Sequence, residues 1–178
     1  MLSDLEIRPA LEADLPSITE IYAREVREGT ATFELVPPDL AEMTRRFQAL
    51  MDGDFPYLVA ELDGSVVGYA YASSYRPRPA YRFTVENSVY LRPAIHRRGI
   101  GRQLLERLIA ECERRGFRQM IAVIGDSANA ASIRVHARCG FQMIGTHPSV
   151  GLKFGRWLDT VMMQRELGEG AKTVPATG

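Results

Sequence analysis

The chain of 178 residues has no surplus of charge, because Lys and Arg together number 22 and Asp and Glu also number 22. A net charge of zero gives no overall field to attract nucleic acid or an anionic membrane, so any basic site has to be local. The N-terminal segment MLSDLEIRPALEADLP has no uninterrupted hydrophobic run, which is unlike a signal peptide or a spanning helix. We therefore expect a cytoplasmic protein that binds neither nucleic acid nor membrane.

Cysteine is also scarce. The two cysteines, Cys112 and Cys139, have no metal-ligand spacing and both fall in segments with helical periodicity. Buried thiols are the expected state, with a disulfide as the alternative, and we expect no metal site. The chain also lacks the spacing of two familiar phosphate-binding motifs, as described below.

Hydrophobic residues make up 46% of the chain and charged residues 25%, which is typical of one soluble globular domain. The patterns predict a strand, two helices, three strands, a helix, a strand, a helix and closing strands, an α/β fold with a mixed sheet. The clearest local signal is a hairpin, YLVAEL and SVVGYAYASSY, joined at Asp63-Gly64. Asp14 is expected to cap the first helix. We assign residues 1–167 to the domain and predict that residues 168–178, which have little apolar surface, form a mobile tail.

Two boundaries matter for the site. Residues 82–92, RFTVENSVYLR, have the alternation of a strand, which places Glu86 in its middle. A helix with an apolar stripe follows from Ile100 and stops at Gly116. Toward the end of the chain, VGLKFGRWLD is expected to be a loop and TVMMQREL the last strand.

The stretch HRRGIGR, at the start of that helix, has the composition of an anion site. Gly99 and Gly101 allow close approach to the backbone, the first helical turn offers unpaired N–H groups, and Arg97, Arg98 and Arg102 carry guanidinium groups. A solvated charged turn is the alternative. A P-loop needs four residues between its glycines, and a dinucleotide fingerprint needs a third glycine where this chain has Leu104. The anion site is therefore of another kind.

Two segments together resemble the GNAT superfamily of acetyl-CoA dependent N-acetyltransferases. HRRGIG, residues 96–101, matches the family motif Q/R-x-x-G-x-G/A except at its first position. NAASIRVHARCGF, residues 129–141, keeps the Asn, Gly and Phe of N-x-x-A-x-x-L-Y-x-K-x-G-F, with His136 in place of Tyr and Arg138 in place of Lys. With VENSVYL and GLKFGRWLD, the chain is similar to the branch of phosphinothricin and methionine sulfoximine or sulfone N-acetyltransferases, from about residue 5 to 167.

The resemblance implies a GNAT fold, a mixed and strongly twisted sheet flanked by helices and splayed between its fourth and fifth strands. Acetyl-CoA enters that opening, and relatives are usually homodimers. By the resemblance, three strand residues pair with the pantetheine arm, residues 97–102 wrap the pyrophosphate, and Asn129 bonds the arm. The implied cofactor-binding residues are Val89, Tyr90, Leu91, Arg97, Arg98, Gly99, Ile100, Gly101, Arg102, Asn129 and Arg138.

Acetyl transfer from a thioester to an amine needs a base for the ammonium proton, a donor for the oxyanion and an acid for the thiolate. Glu86 is a catalytic candidate because partial burial would raise its pKa, and a salt-bridged strand acid is the alternative. His136 is the second, because imidazole titrates near neutrality, and a structural histidine is the alternative. Which of the two is the base stays open at this point.

The acceptor implied by the branch is a small amino acid with a carboxylate and a second polar group. Arg76 and Arg78, in the loop before the strand of Glu86, are candidates for its anionic groups, since Arg binds carboxylate with a two-pronged fork. Phe33, Asn87 and Ser88 complete the predicted substrate-binding set. Three alternatives remain. A polyamine acceptor is disfavoured by these arginines, a peptide or protein N-terminus stays open, and a non-catalytic CoA-binding module has no need of Glu86 and His136.

Overall fold

A computed structural model describes residues 5–175 and confirms the α/β architecture. The strands are β1 Leu5–Pro9, β2 Tyr57–Leu62, β3 Ser65–Ser74, β4 Thr84–Leu91, β5 Gln119–Gly125, β6 Gln142–Lys153 and β7 Arg156–Glu166. The helices are α1 Leu15–Glu28, α2 Leu40–Asp52, α3 Ile100–Arg114 and α4 Ala130–Arg138.

The seven strands form one mixed sheet in the order β1-β2-β3-β4-β5-β7-β6. β4 and β5 are parallel, whereas the other neighbouring pairs are antiparallel. The β4–β5 register covers Thr84 to Glu86 against Gln119 to Ile121 and goes no further, although β4 continues to Leu91. The sheet therefore splays after Glu86, as expected, and leaves one edge of the second half of β4 open.

The two faces of the sheet carry separate cores, because successive residues of a strand point to opposite sides. On one face α1 and α2 cover Tyr57, Val59 and Tyr69. On the other face α3 inserts its apolar stripe, which includes the fully buried Leu104 and Leu108. Glu86 and Asn87 consequently lie on opposite faces of β4, at the point where the sheet opens.

The first hairpin has the predicted turn. Asp63 and Gly64 have φ values of 50° and 73°, the left-handed pair typical of a tight two-residue hairpin. A second hairpin of the same kind lies at Phe154 (φ 52°) and Gly155 (φ 72°), with Lys153 paired to Arg156. The expected loop VGLKFGRWLD is therefore wrong. Phe-Gly lacks the Asn or Asp that usually announces such a turn, so the sequence pattern hid it.

Two smaller expectations at element ends are also corrected. Asp14 precedes α1, but its carboxylate accepts from the backbone N–H of Leu11 at 2.8 Å and binds the guanidinium of Arg8, so it does not cap the helix with its side chain. The strand predicted over residues 82–92 is shorter, since β4 begins at Thr84 and ends at Leu91.

Both thiols, Cys112 and Cys139, are free and buried, as expected. Residues 168–175 form turns attached to the domain, with Arg118 donating to the Thr173 hydroxyl at 3.0 Å, whereas the last three residues of the predicted tail and the first four of the chain lie outside the described residues. Among residues 5–175, no helix is both long enough and apolar enough to cross a membrane. In the same part of the chain no three metal-ligating side chains come together.

Candidate active site

A cavity of about 320 Å³ opens where β4 and β5 separate. Six segments contribute to it: the loop after α1, one residue of β3, β4 from Glu86 onward, the end of β5, the start of α4 and one residue of β7. The lining residues are Ala31, Thr32, Phe33, Tyr71, Glu86, Asn87, Ser88, Val89, Tyr90, Ala122, Val123, Ile124, Gly125, Asn129, Ser132, His136 and Thr160. Both catalytic candidates and most of the predicted substrate residues are therefore brought together.

Glu86 has the environment of a poised base. Its side chain lies in the cavity wall and is partly buried, and burial raises the pKa of its carboxyl group. Within residues 5–175 no hydrogen-bond donor or cation pairs with this carboxylate, so the alternative of a salt-bridged strand acid has no partner in the described chain. An unpaired carboxylate in a cavity is available to a ligand.

Asn87 occupies the fork between the two strands and is only 7% exposed. Its side-chain Nδ2 donates to the backbone carbonyl of Ile121 at 3.1 Å, and Ile121 is the last β5 residue in register with β4. Its Oδ1 lies 3.0 Å from Nε2 of His136. The side chain of Asn87 thus links β4, β5 and α4 at the point where the backbone pairing of β4 and β5 ends. The sequence analysis predicts only a substrate contact for this residue.

His136 is 6% exposed and both of its ring nitrogens face protein atoms. Nε2 faces Asn87 Oδ1, while Nδ1 lies 2.9 Å from the Ser132 carbonyl and 3.3 Å from the Ser132 hydroxyl. Burial lowers the pKa of His136, which favours a neutral ring. Each ring nitrogen therefore faces an oxygen that can only accept, the Asn87 amide oxygen or the Ser132 carbonyl, and a neutral ring donates to one of these two at a time.

The predicted anion site lies at the start of α3. Gly99 has a φ of 81° and Arg97 a φ of 65°, so the chain turns sharply through the left-handed region before Ile100 begins the helix. Arg97 and Arg98 are exposed, whereas Arg102 donates to Glu106 at 2.8 Å. A Cβ on Gly101 would lie 3.2 Å from Cδ1 of Leu91, which shows how closely this turn approaches the end of β4.

Asn129 is the N-cap of α4, and its side-chain oxygen accepts from the backbone N–H of Ser132 at 3.2 Å. The same residue lines the cavity, which leaves its amide N–H₂ for a ligand. Arg138, at the other end of α4, is exposed and is not among the cavity residues.

The two loop arginines are outside the cavity. Arg76 and Arg78 are exposed, and the guanidinium of Arg76 lies over the rings of Tyr75 and Tyr81, with centroid distances of 5.1 and 5.8 Å. No carboxylate among residues 5–175 pairs with either arginine. Phe33, by contrast, is part of the cavity wall and packs on Gly151 of β6.

Several lining residues were absent from the sequence-based set. Tyr71 faces Ser88 across β3 and β4, and the alternation of β3 could have suggested it. Thr32 and Ser132 carried no comparable signal. The backbone carbonyl of Thr32 accepts from Lys153, a β6 residue distant in the chain, and the hydroxyl of Ser132 lies beside the ring of His136. Thr160 lies on β7, near the hairpin that the sequence analysis had interpreted as a loop.

A parallel strand pair thus splays beside an unpaired carboxylate, and a glycine-rich helix start, a kind of structure that binds phosphate groups, lies against the end of β4, outside the cavity lining. Residues 16–141 match the acetyltransferase (GNAT) family model. The chain belongs to the GNAT family, and it is an acetyl-CoA dependent N-acetyltransferase.

Individual relatives agree with this assignment. The chain is 56% identical over 169 residues to phosphinothricin N-acetyltransferase from Alcaligenes faecalis, covering 95% of this chain and 86% of that protein. It is 45% identical to an L-methionine sulfoximine/L-methionine sulfone acetyltransferase from Pseudomonas paraeruginosa, covering 90% and 94%. The crystal structure of a phosphinothricin acetyltransferase from Sinorhizobium meliloti with acetyl-CoA superposes with a TM-score of 0.95, at 50% identity over 98% of this chain and 94% of that one.

Proposed function

We propose that the protein transfers the acetyl group of acetyl-CoA to the α-amine of a small amino acid such as phosphinothricin, methionine sulfoximine or methionine sulfone. The observation that carries the proposal is the unpaired Glu86 carboxylate in a cavity of about 320 Å³ beside the open edge of β4. A volume near the lower end of ligand pockets suits a compact acceptor. The activities named for the relatives point the same way.

The coenzyme half of the site uses the open edge of β4. In the proposal, the backbone of Val89, Tyr90 and Leu91 pairs with the amides of the pantetheine arm, in place of the β5 strand that has diverged. The pyrophosphate lies on residues 97–102, where helix N–H groups and guanidinium groups converge. The free amide of Asn129 binds the arm from the α4 side.

The chemistry is a direct attack within a ternary complex. Glu86 accepts a proton from the acceptor ammonium, directly or through water, and the neutral nitrogen attacks the thioester carbonyl. The C–N bond forms and a backbone N–H near Tyr90 or Leu91 stabilises the oxyanion. The C–S bond then breaks, and the second proton lost by the nitrogen passes, directly or through water, to the coenzyme A thiolate.

Glu86, rather than His136, is the proposed base. The Glu86 carboxylate has a raised pKa and no partner in the described chain, so it accepts a proton without losing a protein contact. Both ring nitrogens of His136 lie against protein oxygens, of Asn87 and of Ser132. We assign His136 the role of orienting Asn87, whose side chain joins β4 to β5 where their backbone pairing ends.

The acceptor is proposed to enter from the side of the α1–α2 loop. Phe33 forms one wall, Ser88 contacts the polar end group, and Arg76 or Arg78 binds the anionic group at the mouth. Both arginines are free of carboxylates among residues 5–175, which leaves their forks for a substrate. In Arg76→Gln and Arg78→Gln, a rise in the acceptor KM without a change in the acetyl-CoA KM identifies the contact.

The first experiment measures thiol release from acetyl-CoA with phosphinothricin, methionine sulfoximine, methionine sulfone, spermidine and a short peptide as acceptors. Turnover of the three amino acids alone supports the proposal. Turnover of the peptide alone supports the other acceptor class, and coenzyme A binding without any turnover supports a binding module.

We further propose that the protein is a homodimer formed through β6 and β7. β6 is an edge strand of the described sheet, and six large apolar side chains of the β6–β7 hairpin have exposures of 53–64%. Exposed apolar surface of this kind is typical of an interface. Its members are Met143, Ile144, Val150, Leu152, Phe154 and Trp157. Sedimentation equilibrium tests this: we expect a dimer for the wild type and a monomer for Trp157→Asp, and a monomeric wild type excludes it.

The domain boundary and location are likewise proposals. We expect residues 1–167 to hold the whole activity, so truncation after Leu167 retains turnover, and a loss of turnover assigns a role to the tail. A cytoplasmic location agrees with the free thiols of Cys112 and Cys139 and with the supply of acetyl-CoA. Fractionation of cells that express the chain tests it.

A further inference from the structure

Lys153, at the end of β6, is a buried ammonium group with a specific pair of partners. The residue is 3% exposed, and its Nζ donates to the backbone carbonyls of Gly29 and Thr32, both at 2.8 Å. Among residues 5–175 no carboxylate forms an ion pair with it. The desolvation cost of the buried cation is offset by two carbonyl groups of one loop and by the ring of Phe154, whose centroid lies 5.0 Å from Nζ.

The two carbonyls belong to the loop that forms one wall of the cavity. Gly29 ends α1, and Ala31, Thr32 and Phe33 line the cavity. This segment has no helix or strand of its own to hold it in place. The loop is tied to α1 by the hydroxyls of Thr32 and Tyr22, 2.9 Å apart, and by the Ala31 N–H, which donates to Glu25 at 3.0 Å. Glu34 ties it to Arg46 of α2, and Lys153 adds the hydrogen bonds that tie it to β6.

Two glycines of the sheet leave space for this loop to pack closely against the strands. A Cβ on Gly151 of β6 would overlap the ring of Phe33, and a Cβ on Gly125 at the end of β5 would overlap the carbonyl of Thr30. The loop thus belongs in sequence to the α1 half of the molecule but rests on strands of the other half. It bridges the opening in which Glu86 lies.

We propose that Lys153, together with Gly151, is a positioning residue that determines acceptor selectivity, by fixing the 29–34 loop so that Thr32 and Phe33 bound the acceptor pocket. This inference rests on the proposed function, since it takes the cavity as the acceptor pocket. Lysine suits the role because its compact ammonium donates to two convergent carbonyls, whereas the planar fork of arginine is shaped for a carboxylate. The loop is thereby held without contact between Lys153 and the acceptor.

The central test compares Lys153→Met with Lys172→Met, which changes the only other lysine of the chain and alters an exposed residue. Hydrogen exchange of residues 29–34 and steady-state kinetics with methionine sulfone and phosphinothricin are the two measurements. In Lys153→Met we expect faster exchange in the loop, an acceptor KM raised about tenfold or more, and an unchanged coenzyme A Kd. Lys172→Met is expected to match the wild type in all three.

The two measurements separate the two proposals. If the wild type acetylates neither amino acid, the proposed function fails, while loop exchange still reports whether Lys153 fixes the loop. Unchanged exchange in Lys153→Met overturns the positioning role. Faster exchange with an unchanged acceptor KM and an unchanged ratio of kcat/KM for the two acceptors overturns the selectivity role.

A second pair of variants guards against a Lys153→Met protein that does not fold. In Gly151→Ala the new methyl group displaces the Phe33 ring, so the ratio of kcat/KM for the two acceptors should change while coenzyme A binding does not. Adding Phe33→Leu removes the overlap and should bring the acceptor KM back toward that of Phe33→Leu alone. Gly145→Ala, where a Cβ meets nothing within 4 Å, is the matched β6 control. A ratio that is the same in Gly151→Ala and wild type contradicts the proposal.

Discussion

The proposed coenzyme end and the proposed acceptor end of the site are built in different ways. The proposed coenzyme end comes from one continuous stretch, β4 and the turn into α3, with Asn129 added from the start of α4. The acceptor end collects a loop near residue 32, Tyr71 on β3 and the distant hairpin of β6 and β7. A local coenzyme site can keep its geometry while the acceptor end changes, so we expect variants at the two ends to affect different kinetic constants.

Glu86 lies between the two ends, and its loss should have the largest effect. Glu86→Gln keeps the size of the side chain but removes the proton acceptor, so kcat should fall by roughly 100-fold to 10,000-fold. Coenzyme A affinity should stay at the wild-type value, as measured by titration calorimetry. A kcat near that of wild type would remove Glu86 from the mechanism and return His136 to consideration as the base.

Gly101 tests the coenzyme end alone. Gly101→Val places a branched side chain against Leu91, on the turn proposed to bind the pyrophosphate, so the coenzyme A Kd should rise by about tenfold or more. Gly145→Val adds the same side chain at an open position of β6 and should bind coenzyme A normally. The kcat/KM ratio for two acceptors should be unchanged in Gly101→Val, and a shift in that ratio would show that the two ends are coupled.

Asn87 tests how the opening between the ends is maintained. Asn87→Ala leaves the Ile121 carbonyl and Nε2 of His136 without their partner, which should lower the free energy of unfolding by about 1–3 kcal/mol. In a double-mutant cycle with His136→Phe, the effects should be clearly non-additive, because the two side chains share one hydrogen bond. Additive losses of unfolding free energy, measured by urea unfolding, would show that His136 and Asn87 do not interact.

The same contrast explains which parts of the structure could be predicted from the sequence. Gly99 and Glu86 stand in local patterns, a turn before a helix and an alternating strand, so the coenzyme end and the splayed sheet were accessible. Lys153 and Thr32 are 121 residues apart, and their contact arises only after the hairpin at Phe154-Gly155 folds back. Because that turn lacked its usual residues, the segment was interpreted as a loop. The roles of Asn87 and Ser132 depend on the side-chain geometry of His136, which spacing does not encode.

Acid titration offers the smallest and most discriminating effect, because Glu86 and His136 act on stability with opposite signs. The folded-state pKa of His136 is lowered from 6.5, so below about pH 6.5 the unfolded chain binds the proton more readily and stability falls as the pH falls. The folded-state pKa of Glu86 is raised from 4.5, so its contribution is complete below about pH 4.5 and is lost as the pH rises through the folded value. His136→Phe should therefore flatten the acid loss of stability, and Glu86→Gln should steepen it, in urea unfolding between pH 7 and pH 5. Parallel curves for His136→Phe and wild type would show that burial does not hold His136 neutral.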